Sequence, residues 1–91
     1  MPQFFKNHGY QTAAVGKIFD PRNVDSRDDD DPISWTIPYK QSLPDADRKL
    51  EENFAVRAID APPERFIDGA INARGIKLMR RMAAADVPFF L

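Results

Sequence analysis

The sequence contains no cysteine, which excludes disulfides, thiolate metal sites and cysteine nucleophiles, and leaves the redox compartment open. Histidine occurs once, at His8, so a zinc cluster or a histidine-based dyad has no second member. There is no excess of either charge: 13 basic against 14 acidic residues give a net charge of −1. That balance argues against a nucleic-acid partner, which calls for a clear basic surplus. It argues equally against a polybasic membrane-surface anchor. No apolar run approaches the roughly 20 residues of a membrane span. The opening Met1-Pro2-Gln3-Phe4-Phe5 has neither a basic n-region nor a long apolar h-region, so a signal peptide is not expected.

Hydrophobic residues make up 43% of the 91 positions, close to the globular norm. They concentrate in residues 1–19 and 54–91. The stretch between carries the acidic run and Pro21, Pro32, Pro38 and Pro44. A domain of this size buries only about 60–65% of the surface its unfolded chain exposes. With a third of the chain in loop the core is thin, and the segment is expected to pack against something larger.

The order of elements is that of an α/β protein. Pro2 suits the first turn of a short helix running to His8, and Gly9 stands where a C-terminal capping glycine belongs. Tyr10 to Val15 reads as a strand, although its alanines are weak strand formers. Residues 20–63 read as a long loop punctuated by six prolines, each of which removes a donor and biases its predecessor away from helix. A short helix at about 45–55 is compatible with Ala46, Leu50 and Phe54. The clearest element is an amphipathic helix predicted from Asp68, as N-cap, to Ala84. Ile71, Gly75, Leu78, Met79 and Met82 share one face. Gly75 costs about 1 kcal/mol relative to alanine there; close approach to a sheet would justify it, and neutral drift accounts for it equally well. Pro88-Phe89-Phe90-Leu91 reads as the start of a buried parallel strand. A chain that stops there is expected to be part of a longer domain.

Three ordered segments carry a family resemblance. Residues 2–17, ending in Gly9-Tyr10-Gln11-Thr12 and Gly16-Lys17, resemble the helix, "GY-x-T" strand and "GK" turn of the type I sulfatases. Asp30-Asp31-Pro32-Ile33-Ser34-Trp35 is similar to the "DDPYSW" stretch of the iduronate-2-sulfatase-like branch. Asp68-Gly69-Ala70-Ile71, the helix that follows, and Pro88-Phe89-Phe90-Leu91 resemble the family's "DG" helix and "PFFL" strand. The resemblance implies that residues 1–91 are an incomplete N-terminal part of an alkaline-phosphatase-like α/β domain. It also implies hydrolysis of sulfate esters, with a sulfated carbohydrate as substrate and the remainder of the sulfatase domain as partner. A calcium ion and a formylglycine made from a C/S-x-P-S-R motif belong to the full-length family. Family members are often extracytoplasmic or lysosomal, and the compartment of this chain is left unassigned, with no signal peptide expected.

Lys17 is the leading candidate for chemistry. It follows the carboxyl end of a predicted strand, where open α/β sheets bind ligands, and an ammonium suits an anionic substrate. By resemblance it matches the family's active-site lysine, while its surface type alone fits a solvated loop. Asp20 is the departure, because the related pattern "GK-x-F-H-P" has histidine three residues after the lysine. A carboxylate there repels sulfate or must be protonated, and its structural reading is an Asp-Pro turn. Asp25, Asp28, Asp29, Asp30 and Asp31 offer oxygens for a hard cation, but lack EF-hand spacing and read as a solvated acidic loop. Ser42-Leu43-Pro44 has Ala46 where S-x-P-S-R needs arginine, and is rejected as a nucleophile motif. Trp35 and Tyr39 either line a sugar cleft or anchor their loop by burial. The expectation is a sulfatase segment without activity as the isolated chain, needing no cofactor of its own. The alternative is a non-catalytic degenerate fragment or small interaction module.

Overall fold

The computed structural model describes residues 1–20, 22, 31–41, 46 and 58–91. Helix α1 spans Pro2–Asn7 with proline in its first turn. Its end is a Schellman motif. The Gly9 N–H donates to the Lys6 carbonyl (3.2 Å) and the Tyr10 N–H to the Phe5 carbonyl (3.1 Å). Gly9 takes φ +84°, a left-handed conformation open to glycine at little cost. The apolar contact that accompanies such caps is present, with the Phe5 and Tyr10 rings edge-on at 5.2 Å.

Strand β1 (Gln11–Thr12) pairs in parallel with strand β2 (Phe89–Phe90), Gln11 opposite Phe89 and Thr12 opposite Phe90. Both lie within the strands read from sequence at Tyr10 to Val15 and Pro88 to Leu91, with a shorter regular stretch than expected. The Gln11 and Ala13 N–H groups donate to the Pro88 and Phe90 carbonyls at 2.9 and 3.1 Å. The other edge of β1 is occupied as well. The Ile37 N–H donates to the Thr12 carbonyl (3.1 Å), and the Thr12 N–H donates to the Thr36 hydroxyl (2.7 Å). The Thr12 hydroxyl donates to the Ser34 carbonyl at 2.7 Å. β1 is therefore an interior strand whose buried polar groups are satisfied on both sides, as burial demands.

Its two faces are buried too. Ala13 joins Leu78 and Met82, with Val15 and Ile37 against them. Ala14 joins Trp35 and Tyr39, with Phe19 against them. Successive side chains of an extended segment point to opposite faces, so the two alanines serve two separate clusters. Their small size explains why weak strand formers stand here: a helix packs on one side and two large aromatic rings on the other. The Phe5 ring of α1 stacks on Phe90 at 4.7 Å, tying the first helix to the last strand.

Helix α2 spans Ile67–Ala83 and buries Ala70, Leu78 and Met82. Two expectations are corrected. The N-cap is Phe66, with no side-chain capping bond, and Asp68 lies inside the first turn. The approach is set by a 3-10 turn at Pro63–Arg65, whose last residue leads into the extended Phe66. Asp68 still suits the helix dipole there. Met79, assigned to the buried face, is 47% exposed, because the stripe that meets the sheet runs through Ala70, Leu78 and Met82. Gly75 does meet β1's continuation: a methyl there would sit 3.5 Å from Val15. The long loop contains a second 3-10 turn at Pro32–Ser34. The suggested helix at 45–55 lies almost wholly outside the described residues.

Gly69 faces the backbone of the turn before α2, and an added Cβ would overlap the Pro63 carbonyl. Backbone cannot swing away as a flexible side chain can. Gly69→Ala is expected to destabilise the chain by about 1–3 kcal/mol, although alanine is the better helix former. Urea unfolding of the variant measures this, and unchanged or raised stability would contradict the packing described.

Candidate anion site

Beyond β1 the chain turns at Gly16, which takes φ +82° and is buried. The turn is held from outside the segment. Tyr39, with 0% exposure, donates its hydroxyl to the Gly16 carbonyl at 2.8 Å. A side chain on Gly16 would approach Ile71 of α2 at 3.4 Å, on top of the conformational cost of positive φ. Gly16 is thus clamped between an aromatic residue and a helix, and Lys17 is delivered from that clamp into solvent with its side chain 64% exposed.

Lys17 meets Asp20 with Nζ 3.8 Å from Oδ2. Asp20 is held more closely by Arg22. The Arg22 Nε donates to Oδ1 (3.0 Å) and Nη2 to Oδ2 (2.7 Å), a bidentate fork. The Arg22 backbone N–H also donates to Oδ1 at 3.0 Å. That last bond is an Asx turn, so the structural reading of Asp20 as a turn residue is correct, with Arg22 an unforeseen partner. The nearest signal was the two-residue spacing from Asp20 to Arg22. The hydrogen bonds from the Arg22 side chain and amide, with a smaller contribution from Lys17, hold the Asp20 carboxyl well below the usual carboxylate range. Arg22 is correspondingly raised by Asp20.

The other candidates sort by burial. Trp35 and Tyr39 are 6% and 0% exposed, and their rings lie 6.1 Å apart in the core. They anchor their loop and line no cleft. Lys6 reinforces that anchorage by donating to the Trp35 carbonyl at 2.9 Å, a contact with no sequence signal. His8 serves the end of α1, with Nδ1 2.7 Å from the Phe4 carbonyl and its ring over Phe4 at 4.2 Å. Asp31 occupies a left-handed conformation, φ +53°, and its carbonyl accepts the Ser34 N–H at 3.0 Å. Asp25, Asp28, Asp29, Asp30 and the Ser42-Leu43-Pro44 motif lie outside the described residues. Among the described residues no group of three His, Asp or Glu side chains could hold a metal ion. The calcium that the resemblance implies therefore finds no ligand set there.

Because the folded-state value of Asp20 is lowered, the unfolded chain takes up the proton first as pH falls. The stabilisation is full above about pH 4 and drains away below it. Thermal unfolding of the wild type and Asp20→Asn across pH 7 to pH 2 should show curves that differ at neutral pH and converge in acid. A constant offset would contradict the ion pair.

No family model matches the chain, and no solved structure matches it. Two curated proteins do. Human iduronate 2-sulfatase is 31% identical over 103 aligned residues that cover the whole of this chain. The mouse iduronate 2-sulfatase is 33% identical over the same extent. The match runs across α1, β1, the Gly16-Lys17 turn, α2 and β2 without leaving any described element out. The chain is thus a sulfatase-like segment, spanning 19% of the length of the iduronate 2-sulfatases it resembles.

Proposed function

We propose that this chain is part of a sulfate-ester hydrolase of alkaline-phosphatase-like fold, that Lys17 faces the sulfate group of a sulfated sugar, and that the 91 residues alone do not turn such esters over. The observation that carries the reading is the parallel pairing of β1 with β2, followed at the carboxyl end of β1 by the clamped Gly16-Lys17 turn. Ligands of open α/β sheets bind outside those carboxyl ends. In sulfate-ester cleavage, negative charge grows on the ester and sulfuryl oxygens. A fixed ammonium there would lower the barrier only if it is pre-positioned, and the Tyr39–Gly16 bond, which holds the backbone from which Lys17 leaves, supports that reading.

Three features support the proposed inactivity. The 91 residues contain no C/S-x-P-S-R sequence to supply a formylglycine. The described residues gather no metal-ligand cluster, so no step is assigned to calcium. Asp20 opposes an incoming sulfate where the related pattern has histidine. The remaining groups would come from the rest of a larger domain. Exposed Phe4 (62%) and Leu91 (44%), together with Val87 and Phe89, support a partner of that kind, since single exposed apolar residues are ordinary but several near one sheet are not.

An aryl sulfate assay on the chain, with and without calcium, tests this. The expected rate is the background rate, equal to that of Lys17→Ala. Turnover above the Lys17→Ala control would contradict the proposal.

A further inference from the structure

Two cations on a single loop converge on one carboxylate, and all three belong to the same six residues. The Arg22 guanidinium, the Arg22 amide and the Lys17 ammonium together present four contacts to the Asp20 oxygens. A guanidinium fork with an adjacent backbone N–H and an ammonium is the donor set that binds tetrahedral oxyanions. Here the oxyanion is supplied from within. Both cations are accessible, the Lys17 side chain at 64% and that of Arg22 at 84%, so an external anion has a path to each. The scaffold beneath them is fixed by the buried Tyr39 and the Gly16 clamp.

We infer that Lys17, the Arg22 guanidinium and the Arg22 amide form a latent oxyanion site for a sulfate or phosphate group, kept closed by Asp20 acting as a tethered internal anion. This rests on the reading of Lys17 as an anion-facing residue and adds Arg22 as the second cation, in place of the histidine that the related pattern carries. A carboxylate tethered two residues from Arg22 has an effective concentration on the order of millimolar or above, so free anions compete poorly with it. Removing its charge while keeping its shape opens the site. Asparagine does this, because its side-chain oxygen still accepts the Arg22 N–H in an Asx turn.

The experiment is an amide chemical-shift titration of the full chain with inorganic sulfate and with inorganic phosphate, against chloride at matched ionic strength. Asp20→Asn is expected to bind at least about tenfold more tightly than wild type, the gain from releasing one charge-assisted pair, with shifts centred on residues 16–22. In the Asp20→Asn background, both Lys17→Ala and Arg22→Ala are expected to return binding to the wild-type level. Sulfate preferred over phosphate points to a sulfate-ester ligand, and the reverse preference to a phosphate ester. Equal binding by wild type and Asp20→Asn overturns the latch. Loss of binding with Lys17→Ala but not with Arg22→Ala overturns the role of Arg22 and leaves the reading of Lys17 standing. No effect of either substitution overturns both. Should Asp20→Asn fail to fold, Asp20→Ser, which keeps a weaker turn-forming oxygen, is read by the same criteria.

Discussion

The structure depends on one constraint: the stretch from Gln11 to Ala14 is bonded along both edges and buried on both faces. β2 takes one edge and residues 36–37 take the other. α2 covers the Ala13 face, and Trp35 with Tyr39 covers the Ala14 face. Few residues could stand there. Threonine at position 12 brings a hydroxyl that satisfies the Ser34 carbonyl, and alanine at 13 and 14 leaves room for the helix and the rings. Everything proposed about chemistry follows from this enclosure, since it fixes the point at which the chain emerges as Gly16-Lys17.

Tyr39 joins core to site. It is fully buried, so its hydroxyl must find a partner or forfeit a hydrogen bond in a low-dielectric interior. The partner is the Gly16 carbonyl, one residue before the exposed lysine. A residue assigned from sequence to anchoring or to a sugar cleft thus acts on the Gly16-Lys17 turn without touching solvent. The same logic makes the loop 31–39 a positioning element: Asp31 turns it, Thr36 and Ile37 lace it to β1, and Lys6 caps the Trp35 carbonyl.

Much of this architecture was legible in the residues. Pro2 and Gly9 bracket α1, the apolar spacing from Ile71 to Met82 announces α2, and Pro88 marks the return strand. The iduronate 2-sulfatase matches bear out the family resemblance, and Lys17 is proposed as a site residue from its place after a strand and from that resemblance. Other features left no local trace. The Thr12–Thr36 bonds join residues 24 apart, and neither propensity nor periodicity encodes a pairing at that distance. Asp68 looked like a cap because capping residue types are common just before apolar stripes, whereas the helix begins where the Pro63–Arg65 turn delivers the extended Phe66. Met79 fits the helical repeat, yet the buried stripe runs through Ala70, Leu78 and Met82 and leaves Met79 exposed beside it. Arg22 gave no motif, because its ion pair depends on Asp20 two residues away, which stands where the related pattern has histidine.

The central claim is that the Gly16-Lys17 turn is set by the core through one buried hydroxyl. Tyr39→Phe keeps the ring and removes that hydroxyl, leaving the Gly16 carbonyl without it. Chemical denaturation combined with amide chemical shifts reads both consequences. The account predicts a loss of about 1–2 kcal/mol with shifts concentrated at residues 16–18. Unchanged stability with an undisturbed Gly16-Lys17 turn would contradict it.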